Sequence, residues 1–455
     1  MVKDKPMLSI GLMSGTSMDG IDAALLETDG TAKTLKALGH SALAYTSEFK
    51  ILLKAAEYAV RKCNGLLEAT RASYLQAIQD YLKNELHFQE NQIESKINEL
   101  AIYLYGDTSK LPAFDEVILR STQLHETVVR KLLAETGYRA QEIDVIGYHG
   151  QTLFHRPSEK ISIVVGNGQQ LADALGITVV NDFRRRDVAS GGQGAPFAPI
   201  YHQALAIRDN KIPVAVVNCG GISNITLINS ANELDLIGFD TGPGNGLIDR
   251  LMRRRTQGKE NMDKDGKYGR KGKVNSHVLE ALYEKSIIKD GKNYFSTKPP
   301  KSLDYGDMIL IPELDALSLE DACATLEAFT ADSIITSLQL LDSEAPLHWI
   351  LSGGGWNNTM IRYEFDKRLR QKMPHVTIQT ANEALWDSQA LEAQIFAFLA
   401  VRSLQNKALS VPGTTWVPRP LSGGHAFIPR SGMTENVKKL IQANPSVLNG
   451  YQEAS

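Results

Sequence analysis

Three glycine-bearing turns, each following a short apolar strand and spread over both halves of the chain, constrain the fold more than any other feature. The first is Gly11-Leu12-Met13-Ser14-Gly15-Thr16-Ser17-Met18-Asp19-Gly20-Ile21-Asp22. One apolar run, Met7 to Leu12, enters it and another, Ile21 to Leu26, leaves it, so the pattern predicts a β-hairpin with a polar tip. The second turn, Asn218-Cys219-Gly220-Gly221-Ile222-Ser223-Asn224, follows the strand Pro213 to Val217 and leads into another strand. The third, Ser352-Gly353-Gly354-Gly355, follows a strand ending at Leu351. A single Gly-Gly after a strand is an ordinary tight turn. Three in these positions predict a duplicated nucleotide-binding fold.

The first turn carries phosphate chemistry. Gly15 and Gly20 let the backbone bend and approach a ligand. Ser14, Thr16 and Ser17 add hydroxyl donors, and successive backbone N–H groups form a concavity for phosphate oxygens. Asp19 and Asp22 bring negative charge that a bound cation would offset. The segment Gly15-Thr16-Ser17-Met18-Asp19-Gly20-Ile21-Asp22 is therefore read as a nucleotide-phosphate loop. Gly220 and Gly221 are read as holding the other side of a triphosphate, and Gly353 and Gly354 as letting a flat ring lie against backbone.

The chain has 455 residues, enough for two or three domains, with 43% hydrophobic and 22% charged residues, an ordinary globular balance. A net charge of −3 gives no reason to expect nucleic acid or an anionic membrane as partner. Cys63, Cys219 and Cys323 fit neither zinc spacing nor a disulfide scaffold. With no secretory leader and no apolar run of membrane-spanning length, a cytoplasmic protein is expected. Short β-rich segments (Ile143 to Gly147, Ile177 to Val180, Ile225 to Ile228, Trp349 to Leu351) alternate with helical patterns at Asp321 to Leu341 and Ser388 to Leu404. This alternation predicts an α/β architecture with mixed sheets. Residues 60–112 read instead as a helical hairpin inserted in the N-terminal half, ending near Gly106-Asp107, and residues from about Met433 as a loosely held helix and tail.

Beyond the first loop, the chain carries Gly147-Tyr148-His149-Gly150-Gln151-Thr152 and Asn181-Asp182-Phe183-Arg184. These are followed by Gly191-Gly192-Gln193-Gly194-Ala195-Pro196, Phe239-Asp240-Thr241-Gly242-Pro243-Gly244-Asn245 and Pro299-Pro300-Lys301-Ser302. Together, and in this order, these motifs resemble the anhydro-N-acetylmuramic acid kinase family of the actin/hexokinase/Hsp70 ATPase superfamily. The resemblance implies two ribonuclease-H-like domains, 1–208 and 209–455, closing on ATP and a sugar between them. It implies that ATP and water convert 1,6-anhydro-N-acetylmuramic acid to N-acetylmuramic acid 6-phosphate in peptidoglycan recycling, with Mg²⁺ accompanying ATP. It maps ATP binding onto Gly15 to Asp22 and the catalytic base onto Asp182. One departure is Ala328, which stands where many relatives have a glutamate, with Glu327 beside it. The segment Val164-Val165-Gly166-Asn167 also lacks a glutamine common before the glycine.

In an anhydro sugar O6 is tied to C1, so there is no hydroxyl proton for a kinase base to remove. Water must attack C1 while the C1–O6 bond breaks and phosphorus captures O6. Asp182, directly after the strand Ile177 to Val180, is the carboxylate expected to take the water's proton. His149, Gln151 and Arg184 are expected to contact or position the sugar. Asp19, Asp22 and Asp240 are the candidates for Mg²⁺, and the sequence does not choose among them. Two other readings are a kinase for another anhydro sugar such as levoglucosan, and an actin-like or Hsp70-like ATPase without sugar chemistry. The oligomeric state is left open, a homodimer included.

Overall fold

The computed structural model describes residues 5–15, 18–65, 70–342 and 344–449. Two compact units emerge: Met1–Ala189 with Glu392–Leu409 and Leu421–Ser455, and Ser190–Leu391 with Ser410–Pro420. The division falls at residue 189 rather than 208. The chain's last third does not stay in the second unit, because two later segments return to the first.

The first unit is built on β1 (Met7–Ser14), β2 (Gly20–Thr28), β3 (Leu35–Ala44), β4 (Val145–Arg156), β5 (Ile161–Val165) and β6 (Thr178–Asn181). The central order is β3-β2-β1-β4-β6, with β5 paired to β4 and the short strand His425–Phe427 added antiparallel on the β6 edge. β1, β4 and β6 are parallel, while β2 runs antiparallel to β1 and β3. The second unit has β7 (Val214–Cys219), β8 (Ile222–Ile228), β9 (Ile237–Pro243), β10 (His348–Ser352) and β11 (Thr377–Thr380). Its order is β9-β8-β7-β10-β11, again with three parallel strands and two antiparallel ones. The same ribonuclease-H-like order occurs twice, so the duplication read from the glycine turns is a duplication of topology.

Glycine decides how the first sheet is covered. The helix Leu391–Leu404 crosses it so closely that a Cβ on Gly11 would collide with the Ala393 carbonyl, and one on Gly147 with the Phe396 carbonyl. The helix meets the sheet with Ala393, Ala397 and Ala400, and Ser9 Oγ donates to the Ala397 carbonyl at 2.7 Å. A small-residue face against sheet glycines permits this approach.

The helical insertion starts earlier than its spacing suggested. Helices Ser47–Lys62, Arg71–Asn84 and Glu90–Tyr105 form it, with Thr46 capping the first through the Phe49 N–H and Gly106 ending the third at φ 82°. Phe49, Leu52, Tyr74, Ile78, Leu82, Ile97 and Leu100 are buried in the same core as Ile10, Leu12 and Ile146. The insertion is thus an extension of the first unit's core rather than an appended module. The C-terminal helix Glu435–Ala443 is likewise held, not loose. Val437 and Ile441 are buried, and Thr434, its N-cap, donates to Asp144 at 2.6 Å.

Candidate active site

In the first unit the polar residues gather where the parallel strands end. β6 stops at Asn181, and Asp182 follows with φ 58°, a left-handed conformation that aspartate tolerates better than most side chains. The turn lifts the carboxylate off the sheet and starts the short helix Arg185–Ala189. Asp182 Oδ2 pairs with Arg185 Nε at 3.1 Å, with 27% of the Asp182 side chain and 64% of the Arg185 side chain exposed. The ion pair is open to solvent. Burial raises the Asp182 pKa, and the positive charges of Arg185 and His425 oppose that rise. His425 arrives opposite Asn181 on the added edge strand. Nothing local in the sequence marks His425, whereas a partner for Asp182 among Arg184 to Arg186 is expected from their closeness in the chain.

His149 is buried at the bend of β4 and its imidazole is held neutral, chiefly by burial and then by the Arg184 charge. Its Nδ1 donates to the Gly150 carbonyl at 2.8 Å, which leaves Nε2 as an acceptor. Arg184 donates to it, with Nη2 at 3.0 Å and Nε at 3.3 Å. Phe396, on the crossing helix, packs beneath both His149 and Phe183, with ring centroids 4.6 and 5.4 Å apart. His149 and Arg184, proposed separately from sequence, are therefore one assembly. Its geometry makes His149 an orienting acceptor and not an acid or base.

Gln151 is buried and ties this assembly to the first hairpin. Its Nε2 donates to the Gly15 carbonyl at 3.1 Å, and Ser14 Oγ donates to Gly150 at 3.0 Å. Met18 N–H closes back on Gly15 at 3.0 Å, and Met18 is buried with φ 55°. Thr16 and Ser17 lie outside the described residues. Ile21 points into the core, and Gly20 is packed against the Leu43 carbonyl on β3. Asp19 is exposed and paired with Lys50 at 2.8 Å. Asp22 is half-buried on β2, and burial raises its pKa, with His40 opposing.

In the second unit the glycine turns pack on one another. The Gly220 and Gly221 carbonyls accept from the N–H groups of Gly244, Asn245 and Gly246, at the start of the helix Gly246–Arg255. Gly353 sits at φ 92°, where a Cβ would strike Asn218 Oδ1 and the Cys219 carbonyl; Gly354 faces open space, with nothing within 4 Å of a Cβ. Asp240 accepts from the Leu303 N–H at 2.7 Å and lies beside buried Lys301, whose Nζ donates to the Tyr294 carbonyl at 2.9 Å. Burial pushes the Lys301 ammonium down to about 8, with Asp240 opposing. Glu327 does not stand in for the glutamate missing at Ala328. Its side chain is buried and turned towards Asn358 and Asp263, as the roughly 100° step between neighbouring helix positions requires.

Among the described residues no three His, Cys, Asp or Glu side chains gather as a metal site, and no helix is long and apolar enough to cross a membrane. The family model for anhydro-N-acetylmuramic acid kinase matches residues 92–428. The chain belongs to the anhydro-N-acetylmuramic acid kinase family. Relatives bearing that name include one from Rhizorhabdus wittichii, 39% identical over 419 residues, covering 92% of this chain and 98% of the relative. One from Azorhizobium caulinodans is 39% identical over 430 residues, covering 93% of this chain and all of the relative. One from Nitrobacter winogradskyi is 37% identical over 422 residues, covering 92% and 98%. The match includes the strands that carry His149 and Asp182 and both glycine turns of the second unit.

Proposed function

We propose that this chain is an ATP-dependent kinase that opens 1,6-anhydro-N-acetylmuramic acid with water and phosphorylates O6. The product is N-acetylmuramic acid 6-phosphate, released for peptidoglycan recycling. The family match over nine-tenths of the chain supports the substrate. Asp182 is the observation that carries the mechanism: a half-buried carboxylate lifted beyond a strand end, with its charge reachable by solvent.

Asp182 takes a proton from water as the water oxygen bonds to C1. The C1–O6 bond breaks, its electron pair goes to O6, and O6 attacks the γ-phosphorus as ADP leaves. Since phosphorus captures the developing alkoxide, the leaving oxygen needs no separate acid, and Ala328 is compatible with turnover. Arg184, oriented by His149, supplies a fixed cation for the sugar's carboxylate. The Gly15 to Asp22 hairpin and the Gly220-Gly221 turn serve the phosphates. The open face at Gly354 serves the flat base.

Mg²⁺ bound with ATP neutralises charge on the phosphoryl oxygens. Asp22 suits it better than Asp19, being a half-buried carboxylate whose pKa burial raises against the opposing charge of His40, whereas Lys50 pairs with Asp19 at 2.8 Å. One carboxylate completed by phosphates and water is an ordinary donor set for this ion.

Running the reaction in ¹⁸O-water tests the bond order. Label is expected at C1 of the phosphorylated sugar; label on the phosphate instead, or none on the sugar, overturns the mechanism.

A further inference from the structure

The glutamate that Ala328 lacks has a neighbour with a different task. Glu327 is fully buried on the helix Leu319–Ser337. Asn358 Nδ2 donates to its Oε1 at 2.7 Å, and its Oε2 lies against Gly269, where a Cβ would collide with it. The Asp263 carboxyl sits beside it and is itself fixed by the Tyr268 and Gly269 N–H groups, each at 2.9 Å.

Asn358 links this buried cluster to the third glycine turn. Its Oδ1 accepts from the Met360 and Ile361 N–H groups at 2.9 and 3.2 Å, capping the helix Thr359–Lys372. Its own N–H donates to the Gly355 carbonyl at 3.1 Å. On the other side the turn is walled by Asn218 and Cys219, and Trp356 Nε1 donates to the Val217 carbonyl at 3.2 Å. The turn is clamped between the end of β7 and Asn358, and Glu327 holds Asn358.

We infer that Glu327 is a positioning residue for nucleotide binding, setting through Asn358 where the Gly353–Gly355 turn lies. The inference rests on the reading of that turn as the rest for the nucleotide base. Two features suit Glu327 to the task. It accepts from Asn358 with one oxygen, and its other oxygen is buried beside Asp263 with no hydrogen-bond partner among the described residues, a setting that favours the neutral acid. Burial pushes its carboxyl up to about 8, with Asp263 adding to the rise and Asn358 and Arg270 opposing it. Cys323, one turn earlier on the same helix, faces the same pair as a buried thiol. A carboxyl raised in the folded chain stabilises fully below the ordinary glutamate range, and that contribution is lost as pH rises through about 8.

Calorimetric titration of the full chain with MgADP alone, without sugar, tests the inference. Glu327→Gln keeps the acceptor for Asn358 without a titrating proton and is expected to bind within twofold of the native chain at pH 7. Asn358→Ser keeps a helix cap but loses the reach to Glu327, and is expected to bind roughly tenfold more weakly, as is Glu327→Ala. From pH 7 to pH 9 the native affinity is expected to fall relative to that of Glu327→Gln. Gly354→Val, which fills the open face directly, reports on the turn itself. If it weakens MgADP while Glu327→Ala and Asn358→Ser bind like the native chain, the positioning role is overturned and the nucleotide reading stands. If Gly354→Val binds like the native chain, the reading of the turn falls, and the inference with it. Parallel pH curves for native and Glu327→Gln overturn the proton's part.

Discussion

The two units share a strand order but put different chemistry at matching places. At the end of the third parallel strand the first unit has Asp182, left-handed and charged, while the second has Ala381, buried. Where the parallel pairing of the second strand gives out, the first unit has His149 at the bend of β4, held by Arg184, and the second has Gly353 to Gly355. The hairpin tips differ likewise: Ser14 and Asp22 flank one, Gly220 and Gly221 form the other. A duplicated sheet supplies equivalent positions without deciding their use. In the proposed reaction one copy presents side chains that react or carry charge, and the other presents bare backbone to the ligand. Polar side chains serve where atoms change partners, and glycine serves where shape alone matters.

That division can be broken at either copy. Asp182→Asn should have the largest effect, lowering kcat by roughly a thousandfold, the scale of a lost general base, while MgADP affinity stays within twofold. An active Asp182→Asn enzyme would remove the reactive role from the first unit. Gly353→Ala should act in the opposite sense, raising the KM for ATP by roughly tenfold or more with a smaller change in kcat. A Cβ there meets Asn218 and Cys219 in a backbone conformation that costs on the order of 1–3 kcal/mol for a non-glycine residue. His149→Ala should raise the sugar KM by roughly fivefold to tenfold through Arg184, leaving the ATP KM unchanged; steady-state kinetics with each substrate varied separates these outcomes. The smallest effect is electrostatic. Arg185→Gln removes one of the charges opposing the burial-driven rise of the Asp182 pKa, so the acid limb of the kcat/KM profile should move to higher pH. An unmoved limb would assign that limb to another group.

The parts legible in the sequence were those with local causes. Glycine and hydroxyl residues between apolar runs mark both hairpins, because turn chemistry is confined to a few neighbours. The sheets are marked by their β-branched segments, but an Asn-Asp after a strand is commonly a turn, and only the family motif singles out Asp182. The insertion is only partly legible: Phe49, Leu52, Leu53, Ala56 and Val60 recur at helical spacing, yet they follow a strand so closely that the pattern alone does not mark a helix there. The unit boundary was not legible, since nothing local in Ala393, Ala397 and Ala400 says which sheet they cover. That is settled by matching glycines nearly 400 residues upstream, at Gly11, and at Gly147. His425 escaped for the same reason. Glu327 follows helix spacing: one residue along the helix turns a side chain to another neighbour, so it faces Asn358 and not the place of the missing glutamate.

The helix Leu391–Leu404 carries a consequence for biosynthesis. The groove over Gly11 and Gly147 is made early on the ribosome but stays bare until Ala393 to Ala400 emerge. Ser190–Leu391, nearly all of the second unit, is by then already synthesised. The half of the protein translated first is therefore the half finished last, and the nascent chain must keep an unroofed sheet out of trouble while the other half is being made.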